Sequence, residues 1–80
     1  MITQQEAEAL AQKCMQDYIA ECKCDDVDEV GKALMTLVSM CGIGMCATVG
    51  QQEATARLYK TAAYILKTQS GKKWKMERAN

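Results

Sequence analysis

No charged residue occurs between positions 33 and 52, and this stretch limits the structures that the chain can adopt. Around its first half, apolar side chains recur every three or four residues, which is typical of a helix. We predict a helix over about residues 26–41 with an apolar seam made of Val27, Val30, Leu34, Leu37, Val38 and Cys41. Beyond residue 33 the other sides of this helix are apolar too, so it must be covered on several sides.

Three environments would cover such a helix: the centre of a small bundle, an interface between copies of the chain, or a lipid bilayer. A membrane span needs roughly 20 apolar residues, and residues 33–52 reach that length. Gly42, Gly44 and Gly50 interrupt the stretch, and amphipathic helices are predicted on both sides of it. We therefore favour the bundle and the interface, and membrane association becomes the less favoured alternative.

Two further helices are predicted from their capping residues and their periodicity. Thr3 followed by Glu6 forms a capping box that starts a helix over residues 4–22. Asp26 followed by Glu29 has the same capping-box spacing and predicts the start of the second helix. The third helix covers residues 51–69, and Ser70-Gly71 ends it with glycine in the left-handed conformation. The glycines favour a break between residues 42 and 50, with one long kinked rod as the alternative.

The predicted fold is all-α, with two or three amphipathic helices in a small helical bundle whose core is completed by homo-oligomerisation. With 80 residues and no Phe, the chain has one helical domain over residues 1–71, a basic tail over residues 72–80, and a thin core. Chains of this size seldom gain more than about 3–5 kcal/mol from their own core, so a second copy is expected to complete it.

Positive and negative charges are segregated along the chain, so we expect the acidic front to pair with the basic back, within one chain or between copies, with an anionic partner as the alternative. Residues 1–29 contain eight acidic residues against Lys13 and Lys23, whereas residues 54–80 contain seven basic residues against Glu77. Cations and aromatic rings alternate on one side of the third helix and in the tail. We predict a surface that binds a partner protein or an anion, formed by Arg57, Lys60, Tyr64, Lys67, Lys72, Lys73, Trp74 and Lys75.

The residue types present argue against an enzyme. The chain has no histidine, so it has neither a Ser-His-Asp nor a Cys-His arrangement and no histidine metal ligand. Its five cysteines form no C-x2-C pair, and we interpret them as free thiols in a reducing cytoplasm. Cys24, in the predicted turn, is expected to be the most exposed of them. No catalytic residue, metal or cofactor is predicted.

These features predict a small non-enzymatic interaction protein, a homo-oligomeric inhibitor, adaptor or regulator of a partner protein. Helical chains of this size without catalytic residues are common among phage and mobile-element accessory proteins. The first alternative is a binder of nucleic acid or of a small anionic, nucleotide-like ligand through the basic C-terminal residues. The second alternative is a single-span membrane protein.

Overall fold

The computed structural model describes residues 1–71, which form three α-helices and no β-strand, so the all-α prediction is confirmed. The chain divides into two compact units, Met1–Leu37 and the residues from Val38 onward. The helices are α1 (Gln4–Cys22), α2 (Val27–Val49) and α3 (Gln51–Gln69).

Helix α1 begins with the predicted capping box. The Thr3 hydroxyl accepts a hydrogen bond from the Glu6 amide at 3.1 Å, and the Thr3 amide donates to the Glu6 carboxylate at 2.9 Å. This satisfies two amides that a helix N-terminus otherwise leaves without partners. The hydrogen bond from the Thr3 backbone, followed by the one from its side chain, lowers the pKa of Glu6.

This lowered pKa predicts a pH dependence of α1. The ionised Glu6 favours the folded helix, so its contribution is complete above the ordinary glutamate value of about 4.3 and is lost as the pH falls through the lowered value. In a circular dichroism titration from neutral pH to about pH 3, Glu6→Gln is expected to lose less helicity than the wild type over this window. Superimposable titration curves of the two proteins would contradict the prediction.

Helix α2 starts with the predicted cap at Asp26, in an extended form. The Asp26 carboxylate accepts from the Glu29 amide at 2.9 Å. Glu29 reaches back one residue further than in a standard capping box and accepts from the Asp25 amide at 2.7 Å. The turn before α2 is thereby held at two consecutive positions.

The predicted end of the second helix, at residue 41, is wrong: α2 continues through Gly42 and Gly44 to Val49. A Cβ atom at Gly42 would lie only 3.1 Å from the Leu58 Cδ1 of α3. Glycine therefore allows α3 to approach closely, and this packing offsets the cost of about 1 kcal/mol that glycine has inside a helix. The chain breaks at Gly50, within the predicted range of residues 42–50 and with a φ of 90° that suits glycine.

Helix α3 begins without a side-chain cap and ends as predicted. Gly50 occupies the N-cap position, and Thr48, which could have served as a cap, donates its hydroxyl to the Met45 carbonyl at 3.0 Å. At the other end, Gly71 follows α3 with a φ of 81°. Near the start of α3, Ala54 is fully buried, so small residues line the contact with α2.

The apolar seam of α2 is partly covered within the chain itself. In the first unit the Tyr18 hydroxyl donates to the Ala33 carbonyl at 2.8 Å, which places α1 against α2. Of the predicted seam, Val30, Leu34 and Leu37 are half-buried, whereas the exposed members are Val27, Val38 and Cys41. The seam is thus not a free face of the chain, although half of its members remain accessible.

Candidate docking surfaces

The described part of the predicted cationic surface lies on α3. Arg57, Lys60, Tyr64 and Lys67 are all exposed, and at roughly 100° per residue they fall on one side of the helix. We call these four residues the cationic face. The other predicted members, Lys72, Lys73, Trp74 and Lys75, lie outside the described residues.

Glu53 belongs to the same side of α3 and was missed by the sequence interpretation. Its carboxylate lies 3.0 Å from the Arg57 Nε, in an ion pair between residues four apart. The i,i+4 spacing, with the acid N-terminal to the base, is the signal that predicts this pair. Since Glu53 offsets the charge of Arg57, the net positive charge of the cationic face rests on Lys60 and Lys67.

The ion pairs of residues 1–71 do not relieve the charge segregation of the chain. All three join residues four apart in a single helix, and all are exposed: Lys13–Asp17 at 3.0 Å, Lys32–Asp28 at 3.2 Å and Arg57–Glu53 at 3.0 Å. Exposed pairs of this kind contribute only about 0–1 kcal/mol each. The acidic side chains of α1 and the lysines of α3 remain at the surface.

Helix α1 carries an acidic face that is the counterpart of the cationic face. Glu6, Leu10, Asp17 and Glu21 fall on one side of α1 at roughly 100° per residue, and all four are exposed. We call these four residues the acidic face. Leu10, exposed to 53%, lines a shallow open recess together with Ile2 and Ala9. Lys13 borders the same recess and pairs with Asp17 at 3.0 Å, so among residues 1–71 the net negative charge of the acidic face rests on Glu6 and Glu21.

Uncovered apolar side chains follow one side of α2. Thr36, Met40, Ile43 and Ala47 are spaced at helical intervals and are all exposed, with Met40 and Ile43 exposed to 60% and 62%. We call these residues the α2 stripe, which extends over roughly 16 Å at 1.5 Å per residue. A continuous uncharged stripe of this kind usually marks a contact surface, whereas single exposed apolar residues are ordinary.

A second uncovered apolar strip lies on α3, beside the cationic face. Tyr59 and Leu66 belong to the apolar side of the helix, yet they are exposed to 78% and 75%. In the described structure only Ala54 is fully buried on that side, and Leu58 is half-buried. At roughly 100° per residue, Ala56 and Ala63 lie between this strip and the two lysines of the cationic face, so the strip is a separate surface of α3.

The cysteines differ from the sequence expectation. All five are free thiols, and Cys24 is the half-buried one, while Cys14, Cys22, Cys41 and Cys46 are exposed. Partial burial raises the pKa of the Cys24 thiol, and the neighbouring Cys22 and acidic side chains raise it further. Cys24 is therefore less reactive than an ordinary thiol, which reverses the prediction that it would be the most accessible.

Within residues 1–71, no three acidic or cysteine side chains cluster closely enough to hold a metal ion. Of the described helices, α2 is long and apolar enough to cross a bilayer, a property that core helices of soluble proteins share. No family model, curated protein or solved structure matches the chain significantly. Any functional interpretation therefore rests on the surfaces described above.

Proposed function

We propose that this chain is a non-enzymatic binding protein that works in the cytoplasm as a homo-oligomer, in the manner of an inhibitor, adaptor or regulator of a partner protein. The observation that carries the proposal is the α2 stripe, because Met40 and Ile43 stay exposed on a helix that is uncharged for most of its length. Burial of a large apolar side chain stabilises by about 1.5–3 kcal/mol. A second copy that covers the α2 stripe supplies this stabilisation.

A second copy covers α2 better than a bilayer does. Asp28, Glu29 and Lys32 occupy the first turns of α2, which leaves residues 33–49 as its uncharged part. These residues extend over roughly 25 Å, less than the hydrocarbon thickness of about 30 Å. In addition, α3 contacts α2 at Gly42, so a span would bring the charged residues of α3 towards the lipid. The membrane alternative rests on the length and hydropathy of α2 and on the same exposed apolar side chains, Met40 and Ile43.

The cationic face is the proposed docking surface for a partner. Tyr64, exposed to 66%, lies between Lys60 and Lys67, a combination that suits an acidic protein surface with apolar side chains. The same alternation of cations and a ring favours the second candidate function, an anionic ligand or nucleic acid. The eight carboxylates of residues 1–29 repel a long polyanion, so we favour the protein partner.

Two experiments on the expressed chain test this function. Fractionation of cells without detergent is expected to leave the chain in the soluble fraction, and retention in membranes until detergent is added would establish the membrane alternative instead. Affinity capture from lysate is expected to retain proteins that the double variant Lys60→Glu/Lys67→Glu no longer retains. Equal capture by both proteins would remove the cationic face from the proposal, and release by added oligonucleotide would favour the nucleic-acid candidate.

A further inference from the structure

We propose that the cationic face of α3 docks onto the acidic face of α1 in a second copy of the chain. This inference rests on the self-association proposed above and names one contact that produces it. The two faces are defined by exposed residues of one helix each: Arg57, Lys60, Tyr64 and Lys67 on α3, and Glu6, Leu10, Asp17 and Glu21 on α1.

The two faces are complementary in charge. Residues 1–37 hold eight acidic and three basic residues, a net charge of −5, whereas residues 38–71 hold three basic residues and one acidic residue, a net charge of +2. Each ion pair among the described residues lies within one helix, four residues apart. Because Lys13 pairs with Asp17 and Glu53 pairs with Arg57, the charge left at the surface is that of Glu6 and Glu21 on α1 and of Lys60 and Lys67 on α3. A face of opposite sign on another copy neutralises it.

Both faces also include apolar side chains that are exposed to water in a single copy. Leu10 lies among the carboxylates of the acidic face and is exposed to 53%. Tyr64 lies between Lys60 and Lys67 on the cationic face and is exposed to 66%. Their burial supplies the stability of the contact, while the charges select the partner helix and its register.

The helices that carry the two faces are equal in length. Both helices contain 19 residues, so each is roughly 28 Å long and offers a contact line of the same length. Lys60 and Lys67 lie two turns apart on α3, and Asp17 and Glu21 lie one turn apart on α1. The long lysine side chains bridge the difference between these two spacings. Each copy carries both faces, so the same contact joins every copy to a neighbour.

This arrangement has a consequence for the proposed docking of a partner. The acidic face of a neighbouring copy occupies the cationic face in the assembled state. An acidic partner protein must then displace that copy, so self-association and partner capture compete for Lys60 and Lys67. A variant that weakens assembly through α1 is therefore expected to capture more partner than the wild type does.

Charge exchange between two variants tests the contact directly. The variant Lys60→Glu/Lys67→Glu makes the α3 face negative, and Asp17→Lys/Glu21→Lys makes the α1 face positive. Each variant alone opposes like charges and is expected to need at least about tenfold more protein to self-associate than the wild type, measured by light scattering after size exclusion. An equimolar mixture is expected to recover the wild-type assembly with both variants in one peak, because opposite charges face each other again.

The outcomes separate this inference from the proposed function. Wild-type assembly by each variant alone, or no recovery in the mixture, would overturn the docking of α3 on α1 while leaving self-association through α2 in place. A wild type that stays at 8.8 kDa would instead overturn the homo-oligomer itself.

The control Gln12→Lys/Gln16→Lys adds positive charge on the opposite side of α1 and is expected to assemble normally. Equal loss in this control would show an effect of net charge and overturn the contact. Circular dichroism checks that each variant keeps its helices.

Discussion

Replacement of Gly42 by leucine is expected to lower the free energy of unfolding by about 1–3 kcal/mol, the usual cost of inserting carbon atoms into a closely packed contact. Even the Cβ atom would lie 3.1 Å from the Leu58 Cδ1, and the rest of the leucine side chain has to displace α3. Urea denaturation at one fixed protein concentration measures this loss, because the stability of an oligomer depends on concentration.

Gly44 provides the matched control, since no atom lies within 4 Å of a Cβ placed there. Gly44→Ala is expected to raise the free energy of unfolding by up to about 1 kcal/mol through helix propensity. Gly42→Ala gains the same propensity but loses part of it to the contact with Leu58, so it is expected to be the less stable of the two alanine variants. Equal gains at both positions, or an unchanged stability of Gly42→Leu, would contradict the close approach of α3 to α2.

Conversion of the α2 stripe to a charged surface is expected to dissociate the assembly. In the variant Met40→Glu/Ile43→Glu, both carboxylates are exposed to water in a single copy, where the native side chains are about three-fifths exposed. In an assembled state the same carboxylates would be buried without partners, which costs several kcal/mol for each ion. Light scattering is expected to give the mass of one chain, with the helical circular dichroism spectrum preserved.

A matched variant separates burial from net charge. Gln12→Glu/Gln16→Glu adds the same charge to exposed positions of α1 and is expected to keep the mass of the wild-type assembly. If Met40→Glu/Ile43→Glu also kept that mass, the α2 stripe would face water in the assembled state, and another surface would have to hold the copies together.

The local features of the fold follow from the sequence because they depend on residues close to each other in the chain. Thr3 and Glu6 form the predicted capping box, Asp26 accepts the predicted amide at the start of α2, and Gly71 follows α3 with a positive φ. In each case the chemistry acts over three or four residues. The ranges of α1 and α3 coincide with the predicted ones for the same reason.

The features that the sequence did not predict depend on contacts between distant residues. Glycine propensity alone places the end of α2 near Gly42, yet the side chain of Leu58 packs there and the helix continues. Likewise, a turn position suggests that Cys24 is accessible, whereas the fold partly buries it. The Glu53–Arg57 ion pair, in contrast, could have been predicted from the i,i+4 spacing of the two residues in the sequence. It shows that a carboxylate lies on the same side of α3 as the cationic face.

The sequence predicts which residues form the candidate surfaces, but it does not predict how much of each helix stays exposed. Periodicity identified the side of α3 that carries Lys60, Tyr64 and Lys67, and these residues are exposed together. Tyr59 and Leu66 lie on the apolar side of α3, yet the described chain leaves them exposed. Hydrophobic spacing shows that a side chain needs cover, but it does not show whether the cover comes from the same chain or from another copy.

Sedimentation equilibrium of the wild-type chain tests the central claim most directly. The buffer contains no detergent, and a reductant prevents disulfide bonds between the exposed cysteines of different copies. Self-association through uncovered apolar and charged faces predicts a mass that is a whole multiple of 8.8 kDa and that falls towards 8.8 kDa on dilution. A mass of 8.8 kDa at every concentration would contradict the claim, because the α2 stripe would then be stable in water without a second copy.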